Sequence, residues 1–139
     1  MLKLLSGESK KIGIIIAPPG VFIDVHEKIA VDFLAVHTGL NITFLLPNRQ
    51  AGQRTPDIEM DGKQWEIKSP KGKSSRTIEN NLRSALQQSP NIIIDLRRID
   101  GRIPTARLVT EVERQFTLTK KIERIIVITR QETMIDYSR

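Results

Sequence analysis

The chain has 139 residues, 39% hydrophobic and 27% charged, with a net charge of +6 and no cysteine. This length suits one domain, and the missing cysteines exclude disulfide bonds and cysteine-based zinc sites. No apolar run approaches the roughly 20 residues of a membrane-spanning helix.

The excess of Lys and Arg predicts a polyanionic partner, because neutralised phosphates release condensed counterions. Aromatic residues make up only 4% of the chain, so the base-stacking platforms of RRM and OB-fold proteins are not expected. Recognition would run through the phosphate backbone.

Residues 1–20 are predicted to form an N-terminal extension, and residues 21–139 the main domain. Within the extension, the Ile-rich run Lys11–Ala17 ends at the turn signal Pro18-Pro19-Gly20. This run is predicted to add an edge strand.

A helix is predicted from Ile23 to His37, with Gly39 ending it. Glu27 falls on the stripe of this helix that should face the sheet, where a carboxylate is costly to bury unless it is paired or binds metal. The alternative is a carboxylate at the helix edge that reaches water. His26 and His37 are interpreted as surface or capping residues rather than ligands.

The stretch Asn41–Leu46 is predicted to be a buried strand, followed by a polar loop, Pro47–Thr55. A β-hairpin comes next, because Asp61-Gly62 favours the two-residue type I′ turn. Counting back from that turn pairs Met60 with Lys63, Glu59 with Gln64, Ile58 with Trp65, and Asp57 with Glu66.

Side chains alternate along a strand, so this register divides the hairpin into two faces. Ile58, Trp65 and Ile67 would face the core. Asp57 and Glu66 would oppose each other on the other face, where like charges about 4.5–5.5 Å apart destabilise the pair. A divalent cation between them would relieve the repulsion, with Lys68 beside it. The alternative is a solvated polar face on an edge hairpin.

The basic loop Ser69–Arg76 leaves the hairpin directly after Lys68 and is predicted to cradle phosphates or, alternatively, to be a solvated loop. It lacks Walker-A spacing, which excludes a nucleotide P-loop.

The rest of the chain is predicted to alternate between helices and strands. One helix spans Thr77–Ser89, with Ile78, Leu82, Ala85 and Leu86 on one face, and a second spans Thr105–Leu118, with Leu108, Val109, Val112 and Phe116 inward. The predicted strands are Asn91–Leu96, Arg124–Thr129 and Met134–Tyr137.

Strands that alternate with helices predict an α/β fold with a mixed central sheet flanked by helices. Pro56-Asp57 and, after eight intervening residues, Glu66-Ile67-Lys68 resemble the PD-(D/E)xK motif of restriction-endonuclease-like nucleases. The order of the elements resembles the core of that fold as well.

From about His26 to Thr129 the chain also resembles the C-terminal toxin domains of CdiA-type contact-dependent growth inhibition proteins, in particular the tRNase branch. The residues that carry this likeness are His26-Glu27, Ala30, Thr55-Pro56-Asp57, Trp65 to Gly72, Thr77-Ile78, Gln87-Gln88, Ile94 to Arg97 and Ile126 to Thr129.

The resemblance implies that Glu27, Asp57, Glu66 and Lys68 are catalytic. The three acids would hold one or two divalent ions (Mg, Mn or Zn), and Lys68 would be the motif lysine. It also implies RNA cleavage, with tRNA as substrate, in the cytoplasm of a target bacterium after delivery from a larger exported cell-surface protein. The expected partner is an acidic immunity protein that covers the cleft. Flanking phosphates would be held by Ser69, Lys71, Lys73, Arg76, Thr77 and Arg97.

Two other functions stay open at this stage. One is a metal-dependent DNase on the same site, since the motif does not distinguish DNA from RNA. The other is a non-catalytic domain that binds RNA or a partner, which the intact Glu27, Asp57, Glu66 and Lys68 argue against. A metal-free ribonuclease built on His26 or His37 is disfavoured, since no arginine–hydroxyl set accompanies them.

Overall fold

The computed structural model describes residues 11–47, 54–74 and 76–139. In these ranges the chain forms one seven-stranded mixed sheet and three α-helices, so the α/β prediction is confirmed. The elements are β1 (Ile15–Ile16), α1 (Val25–Thr38), β2 (Ile42–Phe44), β3 (Ile58–Met60), β4 (Lys63–Lys68), α2 (Arg76–Leu86), β5 (Asn91–Asp95), a 3-10 helix (Leu96–Arg98), α3 (Thr105–Leu118), β6 (Arg124–Ile128) and β7 (Met134–Ser138).

The strands lie across the sheet in chain order. β1 is parallel to β2, and β4, β5 and β6 are parallel to one another. β3 runs antiparallel to both of its neighbours, and β7 runs antiparallel to β6. The carboxyl ends of β4, β5 and β6 therefore meet at one edge of the sheet, where open α/β sheets commonly bind ligands.

The helices cover both faces of the sheet and give the molecule three layers. α1 packs on one face, against strand residues that include Trp65 and Ile93. α2 and α3 pack on the other face, against a second apolar cluster that includes Ile92 and Ile94. The alternation of Ile92, Ile93 and Ile94 between the two clusters follows from the period of two along a strand.

Side-chain and glycine caps fix both ends of α1. The Asp24 carboxylate Oδ1 accepts hydrogen bonds from the amides of His26 (2.8 Å) and Glu27 (3.3 Å). Gly39 ends the helix with φ +71°, and its amide donates to the Ala35 carbonyl. Because Asp24 is the cap, α1 begins two residues later than Ile23, the predicted start.

Several predicted ends were wrong because local hydrogen bonds replace the regular ladder. α2 ends at Leu86 rather than Ser89, since the Ser89 hydroxyl donates to the Gln64 carbonyl (2.8 Å). β5 ends at Asp95, whose side chain caps the 3-10 helix. β2 is shorter than predicted, β6 ends one residue before Thr129, and β7 extends one residue past Tyr137.

Most of the predicted inward positions of the later helices are confirmed. Ile78, Leu82 and Ala85 of α2 are buried, as are Leu108 and Val112 of α3. Leu86 and Phe116 are partly buried against the same cluster, and Val109 is only half-buried. The predicted bounds of α3, Thr105 to Leu118, are confirmed.

The predicted N-terminal edge strand is confirmed as β1, although only two residues of the Ile-rich run pair with β2. The boundary near residue 20 stays a prediction. Of the predicted loop Pro47–Thr55, residues 48–53 lie outside the described part of the chain, as does Ser75 of the basic loop. None of the described helices is long and apolar enough to cross a membrane.

Candidate active site

The hairpin β3–β4 has the predicted turn and three of the four predicted pairs. The fourth pair, Asp57 with Glu66, is not part of the ladder, because Asp57 lies before β3 and its amide donates to the Trp65 carbonyl. Asp61 and Gly62 have φ angles of 57° and 72°, both positive as a type I′ turn requires. Ile58 pairs with Trp65, Glu59 with Gln64, and Met60 with Lys63. Ile58, Trp65 and Ile67 are buried in the cluster beneath α1, as predicted.

Asp57 lies just before β3, with its carboxylate held against β4. Its amide donates to the Trp65 carbonyl (2.9 Å), and its Oδ2 accepts a hydrogen bond from the Ile67 amide (2.8 Å). These two bonds bracket Glu66 and place the carboxyl groups of Asp57 and Glu66 within hydrogen-bonding reach of each other.

Glu66 is buried although it is ionisable, with only 4% of its surface exposed. α2 packs against β4 and covers this part of the polar face of the hairpin, whereas Gln64 further along β4 stays exposed. The Lys68 ammonium lies 3.6 Å from Glu66 Oε2. Glu66 Oε1 is buried and has no hydrogen-bond partner in the described ranges.

Burial and mutual repulsion raise the pKa of both carboxyl groups. For Glu66 the largest cause is burial, followed by the charge of Asp57 and by a hydrogen bond that protonated Glu66 donates to Asp57. For Asp57 burial also raises the pKa, and the Ile67 amide partly opposes that effect. Lys68 lowers the pKa of both groups without cancelling the increase.

Glu27 lies in the first turn of α1 and lines the same cavity as Asp57. This cavity has a volume of about 440 Å³. Burial, followed by the charges of Asp57 and Asp24, raises the pKa of Glu27 to about 7. The structure therefore places a third acid beside the hairpin pair, and Glu27 is half-buried there rather than fully exposed to water.

The hairpin pair fits a divalent cation. Two carboxylates, one with an unpartnered buried oxygen, are the hard oxygen ligands that Mg²⁺ and Mn²⁺ prefer. Across residues 11–47, 54–74 and 76–139, no three His, Cys, Asp or Glu side chains come together as a metal-binding cluster. Asp57 and Glu66 would hold the metal, and Glu27 as a third ligand stays a prediction.

The basic loop leaves β4 at the edge where the carboxyl ends of the parallel strands meet. Lys71 and Lys73 are exposed, and with Arg98 they line a second cavity of about 350 Å³. Arg98 in turn donates to the Ser69 carbonyl (2.9 Å), which ties the start of the loop to the 3-10 helix. The structure thus brings Lys71 and Lys73 together, as predicted, and adds Arg98 to them.

The other three predicted phosphate-binding residues have different surroundings. Arg76 is exposed at the start of α2, and Thr77 packs against Gly72 of the loop. The Arg97 guanidinium makes contacts within the molecule. Its Nε and Nη2 donate hydrogen bonds to the two carboxylate oxygens of Asp95 (2.9 and 2.8 Å), and its Cζ lies 5.0 Å from the centroid of the Phe33 ring.

The histidines lie outside this constellation. The His37 ring stacks on Phe33 with 3.8 Å between centroids, at the last turn of α1. His26 follows the helix cap and is half-buried. Sequence reasoning missed two residues that line the acidic cavity, Phe22 and Asp24. The signal for Asp24 was its position as an N-cap before an apolar helix.

Comparison with known proteins identifies one family and one similar solved structure. The family model for the contact-dependent growth inhibition CdiA C-terminal domain matches residues 54–134. A chain from the CdiA-CT/CdiI toxin and immunity complex from Burkholderia pseudomallei is similar with a TM-score of 0.60 and 19% sequence identity. That similarity covers 91% of this chain and 100% of the other. The sequence matches no curated protein.

Proposed function

Because the chain belongs to the contact-dependent growth inhibition CdiA C-terminal domain family, we propose that it is a toxin domain with metal-dependent nuclease activity. Its substrate is RNA, with tRNA as the specific target. The active site is a PD-(D/E)xK site composed of Asp57, Glu66 and Lys68, with Glu27 as an additional acid.

One observation carries this proposal: Glu66 is buried beside Asp57 with an unpartnered oxygen and a lysine 3.6 Å away. A structural ion pair would satisfy both partners, because a buried charge without a partner is strongly destabilising. Here two acids face one lysine, so the site carries an excess of negative charge when both acids are ionised. Such an arrangement is suited to binding a cation and is costly without one.

The residues have separate roles in this mechanism. A divalent ion, when bound, supplies an activated water or hydroxyl and stabilises negative charge on the scissile phosphate. Asp57 and Glu66 hold that ion, and the Ile67 amide fixes the orientation of Asp57. Lys68 places a positive charge beside the pair, where it orients the phosphate and neutralises charge that develops on it.

The cellular setting follows from the family. The similar solved chain comes from a toxin–immunity complex, and a free nuclease would kill the cell that makes it. We therefore propose a cognate immunity protein, acidic on the surface that covers the basic loop and the cleft, since complementary potentials speed encounter. The domain would act in the target-cell cytoplasm after delivery from a larger surface protein.

Expression of the wild type alone in a bacterial cytoplasm should be toxic, and expression of Glu66→Gln should not.

A substrate and metal panel tests the proposed activity. The purified protein is incubated with total bacterial tRNA or plasmid DNA, with Mg²⁺, Mn²⁺, Zn²⁺ or excess EDTA. The expected result is cleavage of tRNA that requires one of the metals and stops in EDTA. Full activity in EDTA contradicts the metal site. Cleavage of DNA alone would mean that the same site is that of a DNase. If neither substrate is cleaved in any metal, the chain is a domain that binds RNA or a partner without cleaving it.

A further inference from the structure

Phe22 differs from the other aromatic residues of the chain. Phe33, Phe44 and Trp65 are buried in the core beneath α1, and Phe116 and Tyr137 pack against the other cluster. Phe22 is 84% exposed. Single exposed apolar residues are common on protein surfaces, so the significance of Phe22 depends on where it lies.

A turn and a helix cap hold the segment that carries this ring. Gly20 has φ +84°, and the Val21 amide donates to the Pro18 carbonyl (3.2 Å). Two residues after Phe22, the Asp24 side chain caps α1. The ring is thus placed by a short segment that is fixed at both ends.

Phe22 lines the cavity that two members of the acidic site, Glu27 and Asp57, also line. The lining of this cavity of about 440 Å³ includes apolar residues, among them Phe22, Phe44, Pro47 and Pro56, and the acids Glu27 and Asp57. Both hydrogen bonds of the Asp24 cap use Oδ1. Asp24 also lines this cavity.

We propose that this cavity receives one unstacked nucleobase of the substrate, with the Phe22 ring stacked on the face of that base. A phosphate held beside Lys68, on a divalent ion that Asp57 and Glu66 would bind, would place a neighbouring base beside Phe22. The carboxylate acceptors would face the N–H donors of the base. This inference rests on the proposed nuclease function and narrows its substrate to RNA with an unpaired or extruded nucleotide, since a paired base cannot enter the cavity.

The test separates the base from the phosphate. Binding of a mixed-sequence, single-stranded 8-nucleotide RNA is compared with binding of an abasic 8-unit phosphate chain of equal charge. All variants carry Glu66→Gln, so the RNA stays intact whether or not the wild type is a nuclease. Because the charges match, the affinity ratio between the two chains reports the contribution of the bases alone.

The expected result is a preference for the base-bearing chain that Phe22→Ala lowers by about 5- to 150-fold, the range of base–aromatic stacking. Phe22→Tyr, which keeps the ring, should retain the preference. Leu118→Ala is the matched control, because Leu118 is also a large exposed apolar residue (62%) but lies on α3.

An unchanged preference in Phe22→Ala, or no binding of the RNA to the ring-bearing protein, overturns the proposal. If Phe22→Ala leaves RNA binding unchanged but weakens binding of the immunity protein, the ring belongs to the partner surface and the base pocket is rejected. Failure of the nuclease proposal has a different signature, since the wild type would then leave tRNA intact in every metal.

Discussion

Glu66 combines two properties that conflict in a residue with a purely structural role. It is almost fully buried, and one of its oxygens has no partner within the described residues. Leaving a buried polar group unsatisfied costs about 1–3 kcal/mol of stability. Sites that trade stability for function commonly hold such groups, and a bound cation would remove this cost.

The metal-free protein should therefore lose stability as the pH rises. Glu66 and Glu27 have raised pKa values in the folded state, so the folded chain binds more protons than the unfolded chain above the ordinary carboxyl range. For these two groups the sign follows directly: their contribution to the free energy of unfolding is fully present at low pH and is lost as the pH rises through the folded-state pKa values, about 7 for Glu27.

Urea unfolding in EDTA at pH 5 and pH 8 measures this dependence. Glu66→Gln should remove part of the pH dependence and be about 1–3 kcal/mol more stable than wild type at pH 8, because its amide can donate to Asp57 without titrating. Added Mg²⁺ should stabilise the wild type more than this variant. A Glu66→Gln protein less stable than wild type at pH 8 would contradict an unpaired, repelling couple.

At the scale of elements, Gly72 joins the basic loop to α2 and the 3-10 helix. Its carbonyl accepts a hydrogen bond from the Asp100 amide (3.0 Å). A Cβ built on Gly72 would lie 2.4 Å from the Thr77 hydroxyl oxygen and 3.1 Å from Thr77 Cγ2. The absence of a side chain at residue 72 is what lets the loop lie against the first turn of α2.

Gly72→Ala should destabilise the protein by about 1–3 kcal/mol through overpacking. Thr77→Ala removes the two nearest of the three crowding atoms and keeps only Thr77 Cβ, at 3.2 Å, so the double variant should recover most of that loss. Unfolding free energies of the wild type, both single variants and the double variant form the cycle that measures the coupling. Additive effects would mean that the loop does not pack on Thr77.

Local signals predicted the elements on which the site stands. Asp61-Gly62 has one favoured turn, and that turn fixed the register from Met60–Lys63 to Ile58–Trp65, next to Asp57 and Glu66. The inward stripes of α2 and α3 followed from apolar spacing. In each case residues close together in the sequence determine the local structure.

The features that sequence reasoning missed depend on contacts between distant residues. The burial of Glu66 results from α2 packing on β4, and nothing near Glu66 in the sequence indicates it. Arg97 was predicted to bind phosphate from its charge alone, whereas the structure pairs it with Asp95 and places it over Phe33. The exposure of Phe22 likewise depends on distant residues, because other apolar side chains fill the core beneath α1.

At the scale of the whole molecule, the two edges of the parallel strands differ in what they carry. Lys71 and Lys73 follow the carboxyl end of β4, near the acidic pair. Lys120 and Lys121, also exposed, precede β6 and so lie at the opposite edge. If binding depended on net charge alone, these four lysines would contribute equally. In the proposed site only Lys71 and Lys73 of the four contact the substrate.

Salt dependence of tRNA binding separates the two pairs. Lys71→Gln with Lys73→Gln should flatten the slope of log affinity against log salt by about 0.7 to 0.9 for each lost phosphate contact. Lys120→Gln with Lys121→Gln makes the same change in charge and should leave the slope close to that of wild type. Equal flattening in both variants would mean that binding follows net charge rather than this edge of the sheet.

The most direct measurement for the central claim is the single-turnover rate of tRNA cleavage in Mg²⁺ by wild type and Glu66→Gln at pH 8. The variant is expected to be folded, at least as stable as wild type in EDTA, and at least about 100-fold slower, since changes around a metal site cost up to that factor even without loss of a ligand. Cleavage by Glu66→Gln at the wild-type rate would contradict the assignment of the active site to the Asp57–Glu66 pair.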